Sequence, residues 1–216
     1  MFRRLTYALL EQRINRAYGD RLAQRGTTAA GVFWRSEASQ SARFKALLSL
    51  VHKAAPNRPV SLADIGCGYG ALRDYIGKDQ AYRSISYLGV DINRAMIAAC
   101  HKKFAHETHL FTCASLPPEP VDFCLFSGTF NLTHCDDPAL WEDYIFAKLA
   151  DCLRFCRSGL VLNLICAPKT EIWKQIFYAN RANFVHRAEQ QLGRTIAQST
   201  PGVVGDVSFL ITAAKD

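Results

Sequence analysis

Short apolar runs alternate along this chain with stretches in which apolar residues recur every three or four positions. Val60, Leu62 and Ile65 belong to one run, Ser86 to Ile92 form a second and His109 to Thr112 a third. Val121 to Phe126 and Leu160 to Ile165 complete the set. Runs this short, bounded by turn residues, read as buried strands. Between them lie helical patterns. Phe44, Leu47, Leu48 and Val51 stand at i, i+3, i+4 and i+7 behind Ser36, an N-cap with Glu37 in the first turn. Ala71 to Ile76 make a helix that Gly77 stops, and Met96, Ile97 and Cys100 mark one from Asn93 to Phe104. Asp137 and Pro138 are N-cap and first residue of a helix whose apolar face is Leu140, Trp141, Tyr144, Ile145, Leu149 and Leu153. Residues 5–17 form a first helix with a narrow apolar side, Leu5, Ala8, Leu9 and Ile14. Tyr18 to Val32 hold three glycines and little periodicity, so they read as a mobile loop of the kind that serves as a lid. After Pro168-Lys169-Thr170-Glu171 a long helix is expected through Leu192, then strands over 194–200 and 206–213. The pattern is that of one α/β domain.

The first strand runs into Asp64-Ile65-Gly66-Cys67-Gly68-Tyr69-Gly70. A glycine-rich turn between strand and helix lets backbone approach a ligand closely and aims helix N–H groups at it. A plain turn needs fewer glycines. Gly66-x-Gly68-x-x-Ala71 also fits a loose dinucleotide fingerprint. Asp64 opposes that reading, because a carboxylate two residues before the first glycine would repel a pyrophosphate and suits a cationic amino group. Asp91 closes the second strand, where an acid can accept both hydroxyls of a ribose; dinucleotide sites use the same device.

The Asp-x-Gly-x-Gly-x-Gly run, with Gly89-Val90-Asp91-Ile92-Asn93 after it, resembles the class I methyltransferases dependent on S-adenosylmethionine (SAM). The resemblance spans residues 58–213. It implies a Rossmann-like α/β fold: a mainly parallel seven-stranded sheet, helices on both faces, the last strand antiparallel. Residues 1–57 would be an N-terminal helical cap or lid and 58–216 the SAM-binding domain. By the same resemblance Asp64, Gly66, Cys67, Gly68 and Gly70 would hold the methionine end, and Asp91 and Ile92 the ribose side. Backbone of Cys113 and Ala114 would meet the adenine, although the acid usual in this stretch is absent. The exit of the fourth strand, Ser127 to Asn131, would lie under the transferring methyl. Ser127 would join the cofactor site; Phe130 would touch sulfonium or substrate and Asn131 would orient the nucleophile. The plainer reading of Asn131 is a side chain bonded to its own backbone. Trp34-x-Ser36-x-x-Ser39-Gln40-x-x-Arg43-Phe44 is similar to a helix of small, poorly assigned bacterial methyltransferases. It implies Gln40 and Arg43 at the pocket, Arg43 paired with the SAM carboxylate, and Trp34 over the mouth.

In-line displacement at a sulfonium methyl mainly requires the reacting atoms to be held on one line. His134 and Tyr18 are the candidates for a base, should one be needed, against a buried structural role for each. His134-Cys135-Asp136-Asp137 is better read as a helix cap than as a metal cluster. The exit loop is not the Asn/Asp-Pro-Pro-Tyr of enzymes that methylate nucleic-acid bases.

Composition narrows the partners. The chain has 216 residues, a net charge of +7 and 49% hydrophobic residues. No apolar run approaches the ~18 residues of a membrane span, and no secretory signal is evident. The eight cysteines form no Cys-x-x-Cys pair, which fits small buried hydrophobes in a reducing cytoplasm. Residues 1–60 carry 11 basic and three acidic side chains, read as a solvated face rather than a nucleic-acid patch. A small-molecule acceptor is the expectation; docking of RNA or protein through the basic segment, and a non-catalytic SAM-binding domain, are the alternatives.

Overall fold

The structure, a computed structural model, describes residues 2–34, 36–56 and 58–212. Helix α1 (Phe2–Arg25) and helix α2 (Glu37–Ala54) precede strand β1 (Val60–Ile65). There follow α3 (Ala71–Gly77), β2 (Ile85–Asp91), α4 (Arg94–Lys103), β3 (Phe111–Cys113), β4 (Val121–Phe126) and α5 (Pro138–Leu153). The chain continues with β5 (Cys156–Ala167), β6 (Glu171–Trp173), β7 (Ile176–Asn180), α6 (Arg181–Gln191), β8 (Arg194–Ser199) and β9 (Asp206–Thr212).

Strands β3, β2, β1, β4 and β5 lie side by side in that order and run parallel. β9 adds antiparallel to β5 and β8 antiparallel to β9, so seven strands form the main sheet, as expected. The order reverses direction at β1, and the crevice of such a sheet opens beyond the carboxyl ends of β1 and β4. One face is covered by α2, α3 and α4, with Leu47, Leu48, Leu72 and Cys100 packed on Leu62, Phe123 and Leu125. On the other face Trp141, Ile145 and Leu149 of α5 and Phe184 of α6 pack on Cys124, Phe126, Leu162 and Phe209. The β3–β4 connection carries no helix. Its place on this second face is taken by α1, whose Leu10 joins the core with Tyr7 and Ile14 beside it. α1 and the turn after it reach over the strand ends, while α2 belongs to the layer packed on the sheet and reaches the strand ends with Gln40 and Phe44.

Three expectations are corrected. α1 does not stop near residue 17: it continues to Arg25, and Ala29–Val32 form a 3-10 turn capped by the Thr28 side chain, where a loop was expected from Tyr18 to Val32. Contacts across the fold hold this second half. Tyr18 packs edge-on to Phe33 at 5.2 Å, the Arg21 guanidinium lies 5.0 Å from the same ring, and Gly19 sits against the Asn93 side chain. The long helix expected after Pro168 is instead the β6–β7 hairpin followed by the shorter α6. Lys174 and Gln175 take positive φ at its two-residue turn, and β7 pairs with the end of β5. The third strand begins two residues later, after a 3-10 turn over Thr108–Leu110. The cap expectation at Asp137 holds: its carboxylate accepts from the N–H groups of Ala139 and Leu140.

A buried polar chain ties the layers together. Arg43 Nε of α2 donates to Asp206 Oδ2 of β9 at 2.6 Å, with Arg43 side chain 10% and Asp206 side chain 0% exposed. Asn163 of β5 donates to the same oxygen at 2.8 Å, and the Thr200 hydroxyl donates to the other at 2.6 Å. Replacing Arg43 by Met strands a buried carboxylate. Chemical denaturation is expected to show a loss of about 3–5 kcal/mol, partly restored when Asp206→Asn is added. A loss below about 1 kcal/mol, the range of an exposed pair, would refute this account.

Candidate functional site

The glycine loop leaves β1 and at once folds under the end of β2. Gly66 N and Cys67 N both donate to Val90 O, at 2.7 and 3.1 Å. Gly66 has φ of +77°, and a Cβ there would fall 2.8 Å from Thr129 Cγ2. The loop's tie is Asp91. Its Oδ2 accepts from Gly68 N at 2.9 Å and its Oδ1 from Asn93 N at 2.8 Å. One carboxylate thus joins the end of β2, the glycine loop and the start of α4. Burial pushes its pKa up, opposed by the two N–H donors.

Asp64 is 2% exposed. Its one side-chain hydrogen bond comes from the Tyr87 hydroxyl at 2.8 Å. Burial pushes its carboxyl up to about 7; the Tyr87 bond favours the carboxylate and the nearby Asp91 charge disfavours it. Asp64 and Asp91 line the same cavity. Two acids in one cleft without a cation are electrostatically incomplete.

The cavity encloses about 920 Å³ of empty space when its open mouth is included. Its base is the glycine loop with Asp64, Asp91, Ile92 and Met96. Ser127, Gly128, Thr129 and Phe130 at the exit of β4 form one side. Gly128 N donates to Asn163 Oδ1 at 2.8 Å, which fastens this loop to the buried Arg43–Asp206 chain. The ring of Trp34 lies so close that a Cβ at Gly128 would be 2.5 Å from its Cζ2. Phe130 stacks on Phe126 at 5.1 Å, and its carbonyl accepts from Trp141 Nε1 at 3.0 Å. Ser127 Oγ is buried and has no hydrogen-bond partner among the described residues. A hydroxyl in that state awaits a polar ligand atom.

Helix α1 closes the cavity from above with Glu11, Ile14, Asn15 and Tyr18. Asn93 Nδ2 donates to the Asn15 carbonyl at 2.9 Å, holding α1 over α4. At the other end Glu11 accepts from the Tyr144 hydroxyl at 3.2 Å and pairs with Lys148 at 2.5 Å.

Of the residues expected at a site, Asp64, Gly66, Cys67, Gly68, Asp91, Ile92, Ser127, Gln40, Trp34, Phe130 and Tyr18 line this cavity. Six others are used elsewhere. Gly70 begins α3, with Phe104 where a Cβ would stand. Arg43, expected at a ligand carboxylate, is paired with Asp206 and stacked 4.6 Å from the Trp34 ring. Asn131, expected to orient a nucleophile, is directed into the backbone: its Oδ1 accepts from Ile165 N at 3.1 Å. Cys113 is exposed, and Ala114 N donates to the Asp91 carbonyl at 3.1 Å; neither lines the cavity. His134 also lies off the cavity wall, its carbonyl meeting Arg13 at 3.5 Å. Tyr18 reaches the cavity, but burial and the Asp91 charge push its hydroxyl well above the ordinary tyrosine value, so it is a donor rather than a base. Glu11, Asn15, Trp141 and Tyr144 were missed. Glu11, Ile14, Asn15 and Tyr18 do stand at i, i+3, i+4 and i+7, one helix face, but that face mixes polar and apolar side chains and carries no apolar stripe.

Residues 63–147 match a family model described as a methyltransferase domain. A protein of Mycobacterium tuberculosis named "Putative methyltransferase Rv1506c" is 26% identical over 142 residues, 64% of this chain and 84% of its own. Among solved structures, the SAM-bound magnesium protoporphyrin IX methyltransferase of Synechocystis PCC 6803 aligns with a TM-score of 0.52 at 16% identity, covering 81% of this chain and 80% of that one. A SAM-dependent methyltransferase of Leishmania major aligns at 0.60 and 14% identity, covering 90% and 82%. The Burkholderia thailandensis 1,6-didemethyltoxoflavin-N1-methyltransferase, solved with its ligand and S-adenosylhomocysteine (SAH), aligns at 0.56 and 17%, covering 83% and 80%. At these identities the solved structures speak to the fold.

The pKa of Asp64 has a direct check. Carbon NMR of the ligand-free protein is expected to show one aspartate titrating near 7. Tyr87→Phe removes the bond that favours the carboxylate and moves that midpoint higher; an Asp64 titrating at the ordinary value near 4 would contradict the burial argument.

Proposed function

We propose that the chain is a class I SAM-dependent methyltransferase and that it methylates a small molecule held in the cavity under α1. The observation that carries this reading is the pair of buried acids, Asp64 and Asp91, on either side of a glycine cradle. An ammonium at Asp64 and a ribose at Asp91 would complete what is electrostatically unfinished, and the partnerless Ser127 hydroxyl offers one more contact. The residues therefore fit SAM. When bound, SAM supplies a methyl group on a positively charged sulfur, already activated for displacement.

The protein's own part is to position and to exclude water. Asp64 holds the amino-acid end over the bare backbone of the glycine loop; Asp91 takes the sugar hydroxyls while keeping the loop in place. Ile92 and Met96 supply apolar surface for the base, and Gln40 borders the same end. Phe130, Trp34 and Trp141 shape the side on which the acceptor enters, and Tyr18 and Ser127 offer hydroxyls to orient it. With Asp64 and Asp91 given to the cofactor, the described lining residues include no histidine or lysine to act as a base, which suits an acceptor atom that is nucleophilic without one or that sheds its proton to water.

A cavity closed by α1 favours a small acceptor over a polymer. The SAM-bound and SAH-bound neighbours named above, with protoporphyrin and toxoflavin precursors as acceptors, support the same class. A reducing cytoplasmic setting agrees with eight cysteines that are all unpaired.

Calorimetric titration tests the reading. SAM is expected to bind the intact protein, and Asp91→Ala to weaken it by about tenfold or more, the loss of charge-assisted hydrogen bonds. Unchanged affinity in that variant would overturn the assignment. Because Asp64 must be ionised to hold an ammonium, SAM affinity should rise from about pH 5.5 to about 7.5. Ligand-free stability should move the other way. The folded state keeps the Asp64 proton to higher pH than the unfolded chain, so this group's contribution to stability falls as pH climbs from about 4 to about 7. Production of SAH from SAM with a small-molecule extract separates an enzyme from a non-catalytic SAM-binding domain.

A further inference from the structure

The charges around the cavity are one-sided. The described residues lining it include three carboxylates, Glu11, Asp64 and Asp91, and no lysine, arginine or histidine. The cations nearby are committed elsewhere. Arg43 is bound to Asp206, and Lys148 approaches Glu11 from outside the lining. On the functional reading above, Asp64 and Asp91 serve the cofactor. That leaves Glu11 as the charged group on the acceptor side, with its carboxylate fixed by the Tyr144 hydroxyl at 3.2 Å.

Around Glu11 the wall is aromatic: Tyr18, Trp34, Phe130, Trp141 and Tyr144 all line the same space. Trp141 and Tyr144 are tilted together at 4.9 Å, which makes one continuous aromatic surface on α5 beside Glu11. Ring faces attract cations and tolerate flat neutral molecules. A carboxylate or phosphate entering here would lose its water, meet a carboxylate of like sign and find the nearby Lys148 ammonium outside the lining and already paired with Glu11.

We infer that the methyl acceptor is a flat, ring-sized amine, bound neutral or cationic and reacting as the free amine, its lone pair forming the N–C bond as the S–C bond of SAM breaks and its proton leaving to water, and that Glu11 sets the preference against carboxylates and phosphates. This inference rests on the methyltransferase reading and goes beyond it by stating the charge class of the acceptor and the residue that decides it. Glu11 acts here in recognition; no bond to it forms or breaks.

The test uses the full chain saturated with SAH and two probes, 2-phenylethylamine and phenylacetate, titrated by calorimetry. The amine is expected to bind about tenfold more tightly or better. In Glu11→Gln this ratio should shrink to about threefold or less, with SAH affinity unchanged as the check on folding. In Lys148→Met, which leaves the Glu11 carboxylate without its outer cation, the ratio should widen. A purely structural pair would give the two variants the same direction. Equal or tighter binding of phenylacetate, binding of neither probe at millimolar concentration, or a ratio untouched by both variants would overturn the inference alone. Failure of SAH itself to bind would overturn the functional reading beneath it.

Discussion

One buried carboxylate holds the site together. Asp91 accepts from Gly68 on one oxygen and from Asn93 on the other. Both donors are backbone N–H groups, one in a loop without side chains to anchor it and one at the start of a helix. A glycine-rich segment has the greatest conformational freedom of any in the chain. Here the loop is fixed from outside, by Asp91 and by the Val90 carbonyl that accepts from Gly66 and Cys67. The same acid is the group suited to a sugar. Binding and preorganisation therefore share one side chain, and burial keeps its charge costly until a ligand arrives.

A second chain of polar contacts steadies the opposite side of the cavity. Arg43, Asp206 and Asn163 come from three elements far apart in sequence, and their last link is the N–H of Gly128. An internal ion pair of this kind contributes little net stability over apolar packing, but removing one member is severe. Its geometric effect is what matters for function. It holds the β4 exit loop against Trp34, so this wall of the cavity is fastened to the sheet.

Helix α1 does two tasks that the common core of the sheet leaves open. The connection from β3 to β4 has no helix, and Leu10, Tyr7 and Ile14 fill that part of the second face. The same helix lays Glu11, Asn15 and Tyr18 over the cavity. Its attachments, to Asn93 at one end and to Tyr144 and Lys148 at the other, are side-chain contacts to two different helices. The element that seals the second core is thus also the element that roofs the cavity.

The core of the fold was legible from local pattern. Strands β1, β2, β4 and β5, the caps at Ser36 and Asp137, and the acids Asp64 and Asp91 are stated by residues within a few positions of one another. Capping, strand burial and glycine turns are short-range physics. What the pattern hid was decided at long range. Residues 18–25 are helical because Phe33 and Asn93 pack on them, against glycine and without a stripe. Residues 171–180 form a hairpin although their turn is Lys174-Gln175, both good helix formers, because β5 and residues 131–133 offer backbone partners. Arg43 and Asn131 look like site residues in sequence and are structural because their partners, Asp206 and the Ile165 N–H, lie 163 and 34 positions away. The chain alone specified the ligand cradle, since that depends on neighbours in sequence. Only the folded molecule specified the opposite wall of the cavity, since Glu11 and Tyr144 meet across 133 residues.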